Sequence, residues 1–92
     1  MRMISLDTAG LTTRDEVLVR LGEALEFPDY YGRNLDALAD CLRDVNEPTR
    51  LEWSGWQDLQ ASDATSFGRV MLVLDDRADV APEFTVFLVD AD

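Results

Sequence analysis

A small α/β domain, with a three-stranded parallel sheet packed with about four helices, is what this sequence predicts. Three segments have strand character and helical periodicity fills the gaps between them. A chain of 92 residues is long enough for one small core. A strand that reaches the next through a helix pairs with it in parallel, by a crossover over one sheet. Apolar residues make up 47% of the chain, too many for disorder driven by low hydrophobicity. No repeat, low-complexity tract or Gly/Ser linker interrupts it, so residues 1–92 are expected to form one domain.

Met1–Asp7 alternates loosely and predicts the first strand. Thr13-Arg14-Asp15-Glu16 is a capping-box pattern, with the Thr13 hydroxyl as cap and Glu16 reaching back to the Thr13 amide. Val17, Leu18, Leu21, Ala24 and Leu25 follow at helical spacing, and Pro28 is expected to end this first helix. After the loop Tyr30-Tyr31-Gly32-Arg33, Asn34 is a candidate N-cap. Leu35, Leu38, Leu42 and Val45 then fall in a stripe about 80° wide on a second helix. Pro48 stops that region and Arg50–Trp53 predicts a second strand. Ser54-Gly55-Trp56-Gln57 is another capping-box pattern and opens a short helix to about Ala61. Phe67, Val70, Met71 and Leu74 favour a fourth helix, although Val70–Leu74 alone also fits a buried strand. Phe84–Val89 is continuous, aromatic and β-branched, the clearest strand in the chain.

Charge excludes whole classes of function. The chain has 8 basic and 19 acidic residues, a net −11, and contains no His. All eight bases are Arg. Without His there is no Ser-His-Asp or Cys-His pair and no imidazole metal site. Without Lys there is no Schiff base and no Walker A clamp. Direct nucleic-acid binding and anionic membranes are both disfavoured by the acidic balance. Met1–Gly10 lacks the apolar run of a secretory signal, and no apolar run approaches 18 residues. Cys41 is the single cysteine and is expected to be a small buried hydrophobe. These features together lead to the expectation of a cytoplasmic protein without cofactor or metal.

On the second helix Asp36, Asp40, Arg43 and Asp44 oppose the leucine stripe and form an exposed, mostly acidic ridge. Tyr30 and Tyr31 flank it. Exposed tyrosines beside charge suit an interface, because they offer large area at low entropy cost. Asp75, Asp76 and Asp79 lack the spacing of a calcium loop and suit a solvated helix end. The C-terminal Asp90-Ala91-Asp92 resembles the nucleophile motif of haloacid-dehalogenase-type phosphatases, which also require a lysine that this sequence does not contain.

The run Pro28-Asp29-Tyr30-Tyr31-Gly32-Arg33-Asn34-Leu35-Asp36-Ala37-Leu38-Ala39-Asp40-Cys41-Leu42 closely resembles the P-x-Y-Y-G-x-N-L-D-A-L-x-D-C-L segment of the barstar family. These are intracellular inhibitors of secreted ribonucleases such as barnase. Leu51-Glu52-Trp53 and Phe84–Leu88 extend the resemblance to nearly the whole chain, with one gap near Glu47–Pro48. It implies a three-stranded parallel sheet with helices, and makes Val70–Leu74 helical. It implies that Asp40 enters the nuclease's phosphate-binding site and that Asp36 engages active-site arginines. Tyr30 would pack on the nuclease, Tyr31, Gly32, Asn34 and Leu35 would complete the loop, and Asp76 would make a more distant acidic contact.

The departures are local. Ala39 and Val45 stand where the family pattern has tryptophans, and Arg43-Asp44 replaces a Thr-Gly pair. They remove contact area and add a cation to the ridge. The expected function is therefore inhibition, in a 1:1 complex, of a basic, guanyl-preferring extracellular ribonuclease of barnase type, the departures favouring a different enzyme of that type over barnase itself. The alternatives are an immunity protein of the same fold against an unrelated nuclease toxin and, from another class, a magnesium-dependent phosphatase using Asp90 and Asp92.

Overall fold

The computed structural model describes residues 1–28 and 31–90. In chain order the elements are β1 (Arg2–Asp7), α1 (Arg14–Ala24), α2 (Leu35–Arg43), β2 (Thr49–Ser54), α3 (Trp56–Ser62), α4 (Ala64–Ala78) and β3 (Phe84–Leu88). The strands form one sheet in the order β1-β2-β3. Both pairings are parallel, with Leu6 opposite Trp53 and Trp53 opposite Leu88. The α/β architecture is as predicted, and Val70–Leu74 lies inside α4.

The pleat explains how the core is filled. Leu6, Leu51, Trp53 and Phe84 face the helices and are buried with Leu18, Leu21, Leu38, Leu42, Val70 and Leu74. Trp53 is the largest of these, and its indole N–H donates to the Thr8 hydroxyl at 2.8 Å, so its buried donor is satisfied. Met3 and Phe87 alternate onto the other face and are exposed. Phe84–Val89 reads as continuously apolar, yet only one of its faces enters the core. On the open face the Arg50 guanidinium lies 3.9 Å above the Phe87 ring.

Three local expectations are corrected. The first capping box closes differently: Glu16 N–H donates to the Thr13 hydroxyl, which donates to the Glu16 carboxylate at 2.8 Å. The first helix stops before Pro28. The Glu26 amide donates to Glu23 O and the Phe27 amide to Gly22 O, with Glu26 at φ 57°, which is a Schellman ending. The second capping box does not form, because Ser54 belongs to β2 and its hydroxyl donates to Leu6 O. Gly55 caps α3 instead, at φ 72°, where a side chain would collide with the backbone of Ala9.

The Schellman ending yields a prediction. A left-handed residue other than glycine costs about 1–2 kcal/mol, partly offset by the greater freedom of an unfolded glycine. Glu26→Gly should therefore stabilise the protein by roughly 0.5–1 kcal/mol, seen as a higher urea midpoint with an unchanged slope. Losing the ion pair of Glu26 with Arg2, 3.7 Å apart at the surface, should cost little.

Candidate protein-binding site

The acidic ridge is carried by a short helix held at both ends. Asn34 is its N-cap, as predicted, and accepts the Ala37 amide at 2.7 Å. At the other end the Asp44 amide donates to Cys41 O and Leu42 O. Leu38, Cys41 and Leu42 are buried, and Leu35 and Val45 pack half-buried at the margin of the core. Burial pushes the Cys41 thiol above its ordinary range, with Asp44 and Asp40 adding to the effect, which suits an inert core residue.

Asp36, Asp40, Arg43 and Asp44 are exposed on the outward face, and Ala39 is half-buried beside them. Asp40 is not free: Arg43 Nη1 lies 3.0 Å from its Oδ1, with both side chains about two-thirds or more exposed. The ridge's cation thus pairs with one of its carboxylates. Gly32 is exposed, and its carbonyl accepts the Asn34 side-chain amide at 3.4 Å. Tyr30 lies outside the described residues.

Tyr31 is a correction. It is only 8% exposed, a core residue rather than an exposed anchor. Its hydroxyl donates to Leu18 O at 3.0 Å, and its ring meets Phe27 edge-on at 5.0 Å. Gly22 on α1 leaves room for that ring. Tyr31 therefore clamps the loop before α2 onto α1. Burial pushes its hydroxyl up to about 12 from 10.0, with Cys41 adding to the shift and Arg33 opposing it.

Unfolded Tyr31 ionises near pH 10 and the folded residue near 12, so the folded state binds more protons between these values. Its contribution to stability is complete below about pH 10 and is lost as pH rises toward 12. The buried thiol acts in the same direction from lower pH. Tyr31→Phe should cost about 1 kcal/mol at neutral pH and flatten the fall in urea midpoint above pH 10.

Asp76 sits on α4, far from α2 in sequence, yet the fold brings it to the same place. Ala39, Leu42, Arg43, Val73, Asp76, Arg77, Val80 and Ala81 line one shallow cavity of about 360 Å³ between α2 and α4. Three of the predicted contact residues, Ala39, Arg43 and Asp76, thus share one concave surface.

Sequence reasoning missed Arg77. It is 7% exposed and no carboxylate pairs with it among the described residues. Its guanidinium donates to four carbonyls: Leu42 O at 2.8 Å, Val45 O at 3.0 Å, Val80 O at 2.7 Å and Pro82 O at 2.9 Å. Leu42 lies in the last turn of α2 and Val45 just beyond its C-cap, where a cation also complements the helix dipole. Arg77 thereby ties the ridge helix to α4 and to the segment before β3. One signal was available, since Val70, Leu74 and Arg77 fall at i, i+4 and i+7, placing a lone cation on an apolar stripe.

Among the described residues no group of three or more His, Cys, Asp or Glu could hold a metal ion. Among the same residues no helix is long and apolar enough to cross a membrane. The Asp90 carboxylate of the phosphatase-like motif accepts the Gln57 side-chain amide at 2.9 Å, and Asp92 lies outside the described residues.

Comparison with known proteins adds an independent line. The chain is 42% identical over 59 residues to a Bacillus subtilis (strain 168) protein named "Putative ribonuclease inhibitor YrdF". The aligned part is 64% of this chain and 53% of that protein, so the chain spans about half the length of this curated relative. Residues 1–91 match the family described as "Barstar (barnase inhibitor)", a family of inhibitors and not of enzymes, which leaves the phosphatase alternative without support. With the parallel sheet, the Asn34-capped ridge helix and this match along almost the whole length, the conclusion is that the chain belongs to the barstar family.

Proposed function

We propose that this protein inhibits a secreted, guanyl-preferring ribonuclease of barnase type inside the cell that makes the enzyme. The observation that carries the reading is the exposure of Asp36 and Asp40, one turn apart, on a helix whose opposite face is locked in the core. A ribonuclease site is a cationic pocket built for phosphate. Carboxylates preordered on a rigid helix can occupy it with little loss of conformational freedom and block substrate access. In this reading Asp40 substitutes for the phosphate, Asp36 meets neighbouring guanidinium groups, and Tyr30, Gly32, Asn34 and Leu35 border the contact.

The test is to immobilise the protein and pass over it the secreted fraction of its source and, separately, purified barnase. Retention of RNA-cleaving activity from the secreted fraction supports the reading; retention from neither overturns it. The Arg43–Asp40 pair favours one variant of this reading, an immunity role against a nuclease whose rim is not uniformly basic. Retention of a nuclease with a different cleavage preference would select that variant.

The net charge of −11 should also govern encounter. Raising salt from about 0.05 to about 0.5 M should slow association with the ribonuclease markedly and change dissociation less, measured by stopped flow. A salt-independent association rate would mean that the charge does not steer binding.

A further inference from the structure

We infer that the groove between α2 and α4 receives one bulky apolar side chain of the ribonuclease, making the groove a determinant of which enzyme is bound. This rests on the functional reading above and extends it from the charged ridge to an apolar pocket beside it. The cavity is continuous with that ridge: Ala39 directly precedes Asp40, and Arg43 belongs to both. Its volume, about 360 Å³, lies at the low end of the range of small-ligand sites, about 300–1,000 Å³.

The lining shows what kind of group fits. Leu42, Val73, Val80, Ala81 and the small Ala39 make an apolar surface, and Val80 is 57% exposed. Arg77 also lines it, but its guanidinium is already engaged by four carbonyls. Arg43 and Asp76 complete the lining with opposite charges. An apolar side chain fits the floor, and polar neighbours of either sign can meet the rim. A phosphate or a polyanion fits poorly, because Asp76 is at the edge and no free donor lines the floor. The open sheet face is a weaker candidate, since Arg50 already covers the Phe87 ring there.

Indole serves as the probe, titrated into methyl-labelled protein and followed by NMR. The expected result is saturable shifts confined to Ala39, Leu42, Val73 and Val80, with a dissociation constant in the low millimolar range. Val80→Arg changes an exposed residue, so it should keep the melting temperature while weakening indole binding at least tenfold. The same variant should weaken inhibition of the ribonuclease retained in the capture experiment at least tenfold, and that enzyme should displace indole. Absence of saturable shifts, shifts centred elsewhere, or simultaneous binding of enzyme and indole would overturn the proposal. The two readings fail differently. If Asp40→Ala destroys inhibition while Val80→Arg leaves it intact, the groove proposal falls and the ridge stands. If Asp40→Ala leaves inhibition intact, the ridge reading falls, and the groove proposal with it.

Discussion

Asp40→Ala should weaken ribonuclease inhibition by roughly 2–5 kcal/mol or more, the largest loss for any single change on α2. The carboxylate would face guanidinium groups in a pocket from which water is excluded, and its removal leaves those charges buried and unpaired. Close charge pairs at the barnase–barstar interface couple by about 1.5–7 kcal/mol, a range that contains this loss. In the free protein the same substitution removes only the exposed pair with Arg43, worth a few tenths of a kcal/mol at most. Affinity should therefore collapse while the urea midpoint barely moves. Asp36→Ala should come second. Unchanged inhibition by both variants would make the ridge a solvated face and nothing more.

Arg77→Met should do the opposite and destabilise the fold by about 3–5 kcal/mol. Methionine matches the aliphatic stem but leaves the carbonyls of Leu42, Val45, Val80 and Pro82 without their donor. For a domain of this size such a loss lowers the melting temperature by roughly 15 °C or more. Arg77→Lys should recover only part of it, because one ammonium cannot span four acceptors that a planar guanidinium reaches at once. Urea denaturation of the three proteins settles the matter, and a loss below about 1 kcal/mol for Arg77→Met would mean that water replaces the guanidinium at little cost.

Expectations of element type and helix face, which rest on residue spacing, agree with the structure, whereas the two capping boxes and the end of α1 do not. The ridge was legible because helix periodicity alone sets which side of α2 a residue occupies, and Asn34 announces where the helix begins. Asp63 shows the same local logic: Ser66 donates to its carboxylate through both hydroxyl and amide and lowers its pKa, an N-cap made within one turn. The Ser54 capping box failed because β1 competes for that segment, where pairing of Asp7 with Ser54 extends β2 one residue too far for a cap. Pro28 was a sound stop signal, but the chain had already turned at Glu26.

By itself the sequence determined the α/β class, the helix faces, the acidic ridge and the kinship carried by residues 28–42. Each of these depends on residues within a few turns of one another, where spacing is geometry. The tertiary structure decided the rest. It buried Tyr31 against Leu18, brought Asp76 to the rim of the cavity shared with Ala39, and turned Arg77 inward onto the end of α2. Whether a tyrosine is an anchor or a core residue depends on whether a gap such as that beside Gly22 exists to receive it, and such a gap is made only when α1 and the loop before α2 pack together.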